Sequence, residues 1–222
     1  MGDRGRTRLA VLALASYSAA ARQGGEQGTP RYAQSRLGWL HMVEFKQLWR
    51  GHPINYSVQT PCIAPHDLRN LEGKEVGKGL PVFANQCAIR MSLALKAAGV
   101  TAGQLPGLAH CAVHARDEMH FINANQLANA IARANLPGVG PIEKITGTEA
   151  ADFYPKLFGR TGIIYIQDYW RRSSDTGRAT GDHIDVWNGY RSSAKWLMEW
   201  FSWLGYYSNY AQAGEIWFWE VK

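Results

Sequence analysis

Cysteine is scarce in this chain of 222 residues: only Cys62, Cys87 and Cys111 occur. Three thiols cannot build a disulfide framework, and an odd number leaves at least one unpaired if the others join. Charge is thin as well, at 19% of residues, whereas aromatics reach 12% and apolar residues 46%. That balance excludes an intrinsically disordered chain, which would be rich in charge and poor in aromatics. No apolar run approaches the ~18 residues that a membrane-spanning helix needs. No internal repeat is found, and the length suits one domain with an appended tail.

What charge there is carries a net of +6, an excess that suggests a polyanionic partner such as nucleic acid or a cell envelope. Its placement weakens that reading. Residues 1–36 hold six arginines against Asp3 and Glu26, a net of +4, which leaves +2 for the rest. The same segment shows no sustained period and reads as a flexible basic tail or leader, with the domain running over 37–222. Arg4, Arg6 and Arg8, the apolar stretch Leu9–Ala15 and the small residues Ser18–Ala21 outline a short signal peptide. The stretch is broken by Ser16, Tyr17 and Ser18, which favours an unstructured leader or an over-extended start.

Beyond the tail, apolar spacing predicts a helix between Arg36 and Gly51, ended by Gly51 and Pro53. Residues 52–82 are loop-rich. Ala88–Ala98 is a strong helix, with Asn85 available as N-cap and Gly99 as its stop. A second helix is expected over Asn123–Asn135, burying Leu127 and Ile131, and a shorter one opens at Thr148. Gly162–Gln167, His183–Trp187 and Glu215–Val221 read as strands. Trp196, Trp200 and Trp203 fall on one helix face between them, and Trp196, Trp200, Trp217 and Trp219 are expected to be mostly buried. Helices followed by antiparallel strands indicate an α+β domain.

The most informative stretch is Asn85-Gln86-Cys87-Ala88-Ile89-Arg90. It places a cysteine in the first turn of a helix, where unpaired N–H groups and the helix dipole favour the thiolate. The same N–H groups suit a developing oxyanion. A buried cysteine acting as a small apolar residue is the plainer alternative. His183, opening a strand, is a matching base, because cysteine–histidine catalysis needs spatial rather than sequence adjacency.

Phe83-Ala84-Asn85-Gln86-Cys87-Ala88-Ile89-Arg90-Met91-Ser92, Gly162-Ile163-Ile164 and Gly181-Asp182-His183-Ile184-Asp185-Val186-Trp187-Asn188-Gly189 resemble the fourth amidase effector family of type VI secretion. Members are NlpC-like, papain-related cysteine peptidases that cut peptidoglycan stem peptides. Ile216-Trp217-Phe218-Trp219 is similar to the family's last core strand. The resemblance implies a papain-like (NlpC-type) α+β fold, N-terminal helices packed on a small antiparallel sheet. It also implies Cys87 as nucleophile, His183 as general base and no cofactor. The bond cut would be that between γ-D-glutamate and meso-diaminopimelate, in the target cell periplasm after secretion. A secretion apparatus and a cognate immunity protein would be its partners.

Related families place a third polar group, often Asp, ten or twelve residues after the histidine, where this chain has Ser193, Ala194 and Lys195. Asp185 ranks first for that role because a carboxylate best stabilises an imidazolium, with Asn188 and Ser193 as rivals. Gln86, His120 and Trp187 are expected at the substrate. Tyr206 and Tyr207 are candidate rim aromatics, and the loop of Arg171, Arg172 and Arg178 a candidate lid.

Two other classes compete. His110, His114 and His120, close to Cys111, suggest a metal-dependent hydrolase, but their spacing matches neither a zinc finger nor His-Glu-x-x-His, so no metal is expected. A basic nucleic-acid-binding module has charge and aromatics but no binding motif. Cys62 and Cys111 are a candidate disulfide in an oxidising compartment, leaving Cys87 free.

Overall fold

The computed structural model describes residues 41–170, 176, 180–193 and 214–222, which belong to one compact unit, Trp39–Lys222. The tail, Trp196, Trp200, Trp203, Tyr206, Tyr207 and the arginines 171, 172 and 178 lie outside the described residues. So does the start of the helix expected from Arg36.

In chain order the described elements begin with α1 (Phe45–Gly51), a 3-10 turn (Pro53–Tyr56) and a hairpin of β1 (Leu68–Arg69) and β2 (Glu75–Val76). Then come α2 (Cys87–Ala97), α3 (Ala124–Ala134), β3 (Val139–Thr146), the single turns α4 (Thr148–Ala151) and α5 (Tyr154–Leu157), β4 (Gly162–Trp170), β5 (Gly181–Trp187) and β6 (Glu215–Val221). The last four strands make one antiparallel sheet in the order β3-β6-β4-β5. This is the α+β architecture expected from the sequence.

Side chains alternate across a strand, and here both faces are covered. Ile163, Tyr165, Ile184, Val186, Trp217 and Trp219 pack with residues of α1, α2 and α3. Ile164, Ile166, Trp187, Ile216 and Phe218 pack with Ile145, Ala150, Phe153 and Leu157 on the opposite side. Two covered faces explain why Gly-Ile-Ile-Tyr-Ile is an unbroken apolar run rather than an alternating one. Each such side chain contributes about 1.5–3 kcal/mol by leaving water.

β3 has no strand signature, because Gly140, Pro141, Glu143 and Lys144 interrupt the apolar pattern. It forms as the outer neighbour of β6, a place where proline is tolerated, and its register shifts between Val139 and Ile142. α3 follows expectation: the Asn123 side chain accepts the Gln126 N–H, Leu127 and Ile131 are buried, and Asn135 closes the helix in the left-handed region.

α2 is buried on most of its surface, including Cys87, Ala88, Ile89, Met91, Ser92, Ala94 and Leu95. Its N-cap is Gln86, with no side-chain cap bond, rather than Asn85. The Asn85 carboxamide oxygen instead accepts the Cys87 N–H at 3.2 Å. α1 crosses α2 closely at Gly51, where a Cβ would lie 2.3 Å from that of Ala97. This approach carries the next residue, His52, into the interior, where it is 1% exposed.

Candidate active site

Cys87 stands at the first position of α2, against the outer edge of β5. Its sulfur lies 3.8 Å from the Asp182 carbonyl oxygen and is hydrogen-bonded by the His183 ring and the Ile184 amide. Burial alone would push the thiol up. The bond and charge of His183, the Arg90 guanidinium and the Ile184 N–H outweigh burial and hold it below its ordinary value.

The sulfur faces a cleft of about 390 Å³ lined by Leu71, Glu72, Phe83, Asn85, Ala88, Ile122, Asn123, Ala124 and Asp182. Chemically, this is a thiol poised toward the thiolate at the floor of an open groove.

His183 and Asp185 are two residues apart on β5 and share one face of it. His183 Nε2 is 3.4 Å from Asp185 Oδ2. Burial would lower the imidazole, but the bonds to Asp185 and Cys87 raise it to about 9. Asp185 is itself 1% exposed. Its Oδ1 accepts the Val186 N–H at 2.8 Å and a short hydrogen bond from Ser193 Oγ, and lies 3.2 Å from His52 Nε2. Burial would raise the carboxyl, yet His52, His183 and Ser193 hold it well below the usual carboxylate range.

Ser193 reaches Asp185 because the chain turns back after β5. Asn188 Oδ1 accepts the Tyr190 and Arg191 N–H groups at 3.0 Å each, Gly189 takes φ +94°, and Ser193 N–H donates to the Val186 carbonyl. Of the three candidates for the third polar group, Asp185 and Ser193 therefore occupy one cluster together. Asn188 is spent on the turn.

His52 is the member that sequence reasoning missed. Its Nδ1 lies 3.0 Å from Ser193 Oγ, across 141 positions of chain. Burial, Arg90 and His183 lower it, against the pull of Asp185, to about 4. Burial, the largest of these causes, thus favours the neutral ring. Its local signal is only a histidine between a helix-ending glycine and a proline.

The side chains expected at the substrate are placed elsewhere. Gln86 is buried, and its carboxamide bonds the Cys62 N–H and carbonyl at 2.8 Å each and the Phe83 carbonyl at 3.1 Å. Both amide hydrogens are thereby used, and the residue braces the segment ahead of α2. Trp187 is 1% exposed, with its indole N–H on the Leu157 carbonyl. His120 is buried and stacks on His114, outside the cleft lining.

His110 does not join His114 and His120; its Nδ1 lies 2.9 Å from the Cys111 carbonyl oxygen. Cys62 and Cys111 are free thiols rather than a disulfide. Burial and the neighbouring Cys111 push the Cys62 thiol up, opposite to Cys87.

A helix-start cysteine, a strand histidine and a buried carboxylate thus stand together on the small antiparallel sheet of an α+β domain. The family model for type VI secretion system amidase effector protein 4 (Tae4) matches residues 83–219, and the chain belongs to that family. It is an amidase effector of type VI secretion, which displaces nucleic-acid binding as the reading of its composition. No curated protein sequence matches it.

Among solved structures, Tae4 of the Tae4/Tai4 effector–immunity system from Salmonella typhimurium is 15% identical, with 81% of this chain and 99% of that chain covered, at a TM-score of 0.48. Tae4 from Enterobacter cloacae is 15% identical, with 82% and 99% covered, at 0.47. No helix among the described residues is long and apolar enough to cross a membrane.

Proposed function

We propose that the chain is a cysteine amidase that hydrolyses the γ-D-glutamyl–meso-diaminopimelate bond of peptidoglycan stem peptides in the periplasm of a target bacterium. The observation that carries this reading is the Cys87 sulfur, hydrogen-bonded to His183 at the floor of the cleft. Membership of the amidase effector family supports the reaction class.

With His183 Nε2 turned to Asp185, Nδ1 takes the Cys87 proton. The thiolate attacks the γ-glutamyl carbonyl carbon, and the first-turn N–H groups of α2 stabilise the oxyanion. The C–N bond then breaks as His183 returns the proton to the departing amine, leaving a thioester on Cys87. Water attacks that thioester, His183 takes its proton, and the γ-carboxylate leaves.

Asp185 orients His183 and stabilises its charged form, while Ser193 and His52 hold Asp185. A dedicated immunity protein that covers the cleft is the expected partner in the producing cell, supported by relatives solved as effector–immunity pairs. Mass spectrometry of muropeptides digested by wild type and Cys87→Ala tests enzyme class, nucleophile and bond together. Wild type should release products cut after γ-glutamate, and Cys87→Ala should release none. Full activity in that variant rejects the reading.

A further inference from the structure

Three residues outside the proposed catalytic group converge on one point. Cys62 Sγ lies 3.2 Å from Cys111 Sγ and 3.6 Å from His114 Nδ1. The ligating atoms of all three lie within 4.8 Å of one another, and both thiols are wholly buried.

Local chain geometry builds the cluster. The Cys111 N–H donates to the His120 carbonyl at 2.8 Å and the His114 N–H to the Cys111 carbonyl at 3.4 Å. The loop thus folds back on Cys111 and brings His114 to it in a Cys-x-x-His spacing, within the range of short ligand spacings seen in zinc sites. A second donor set adjoins it: the ligating atoms of His114, Glu118 and His120 also lie within 4.8 Å of one another. His120 stacks on His114 at 3.7 Å and is 6% exposed. Its Nδ1 has no hydrogen-bond partner among the described residues.

We propose that Cys62, Cys111 and His114 hold a structural zinc ion, with the fourth position filled from the adjoining Glu118–His120 pair. A tetrahedral ion bonded at ~2.3 Å to sulfur and ~2.0 Å to nitrogen sets S···N edges of ~3.6 Å and S···S edges of ~3.8 Å. Cys62 and His114 already meet that separation, and the two sulfurs need only open slightly. A disulfide instead requires them to close to ~2.05 Å and leaves His114 and the buried His120 nitrogen without a role. Binding replaces the two S–H bonds by Zn–S bonds and releases two protons.

The ion ties the segment ahead of α2, which Gln86 grips at Cys62, to the loop that follows α2. Both anchor the start of the helix that carries Cys87.

Elemental analysis of the full chain, purified from zinc-supplemented medium, should find one zinc per molecule. The content should fall at least tenfold in Cys62→Ser and His114→Ala and stay at one in Cys87→Ser. If the first two variants do not fold, the cobalt-loaded wild type decides: thiolate-to-cobalt charge-transfer absorption is expected. Wild type with neither metal nor cobalt absorption overturns the site, whether Cys62 and Cys111 are then found as free thiols or joined by loss of two hydrogens. Zinc that persists in Cys62→Ser and vanishes in Cys87→Ser also overturns it.

Discussion

Gln86 separates two clusters made from the same residue types, one around Cys87 and one around Cys62. Cys87 opens onto a cleft and has a proton acceptor, His183, bonded to it. The Cys62 sulfur has another thiol and a histidine beside it, in a pocket of Val76, Val82, Phe83 and Ile89. Burial acts against the charged form in both. The deciding difference is Asp185, which hydrogen-bonds the imidazole beside Cys87 and raises it, whereas Glu118, the carboxylate near His114, accepts the Ala115 N–H. Chemistry therefore follows from what stands behind the histidine and not from the presence of cysteine and histidine together.

The largest expected effect would break this contrast outright. Cys87→Ala should lower muropeptide release by about 10⁴-fold or more with an unchanged unfolding midpoint, whereas Cys62→Ala should act mainly on the midpoint. Equal loss of turnover per folded molecule in both variants would erase the distinction between the clusters.

Next comes the carboxylate. Asp185→Asn should reduce kcat by roughly 10²–10⁴-fold. It should also move the alkaline limb of the pH–rate profile. The raised His183 keeps its proton up to a pH of about 9 and loses activity above it, so withdrawing Asp185 should shift that limb to lower pH. An unshifted limb would mean that Cys87 alone sustains the imidazolium.

A smaller effect sharpens the role of the residue between them. Gln86→Ala leaves a buried N–H and two carbonyls without their partners, at a cost of about 4 kcal/mol. Urea unfolding should record it, together with a lower kcat from a less firmly placed Cys87.

The smallest concerns pH and the fold. His52 is held at about 4, below its ordinary 6.5, so the folded state favours the neutral ring. The stability this contributes is complete above pH 6.5 and declines as pH falls from 6.5 toward 4, by up to about 3 kcal/mol. His52→Gln should flatten that acid limb of the unfolding midpoint.

How far these residues were readable follows from how each is positioned. Cys87 and His183 carry local signals, a helix start and a strand start, and both elements form where the pattern puts them. Asp185 was readable as a neighbour on the same strand face. His52 was not, because its partners Ser193 and Asp185 are over 130 positions away and only the close α1–α2 crossing at Gly51 brings them together. β3 escaped for a related reason: its residues are ordinary loop residues until β6 offers them a strand to pair with. Gln86, expected at the substrate, instead has its amide claimed by a backbone 24 positions earlier.

The spacing of His183 and Asp185 has an evolutionary consequence. The base and orienting carboxylate of the proposed mechanism sit two residues apart on one strand and so form a single block of sequence. No insertion or deletion in any loop can pull them out of alignment, since the pleat alone keeps them side by side. In the proposed mechanism the connection from β5 to β6 therefore supplies Ser193 to this group and, past that residue, need supply no catalytic carboxylate.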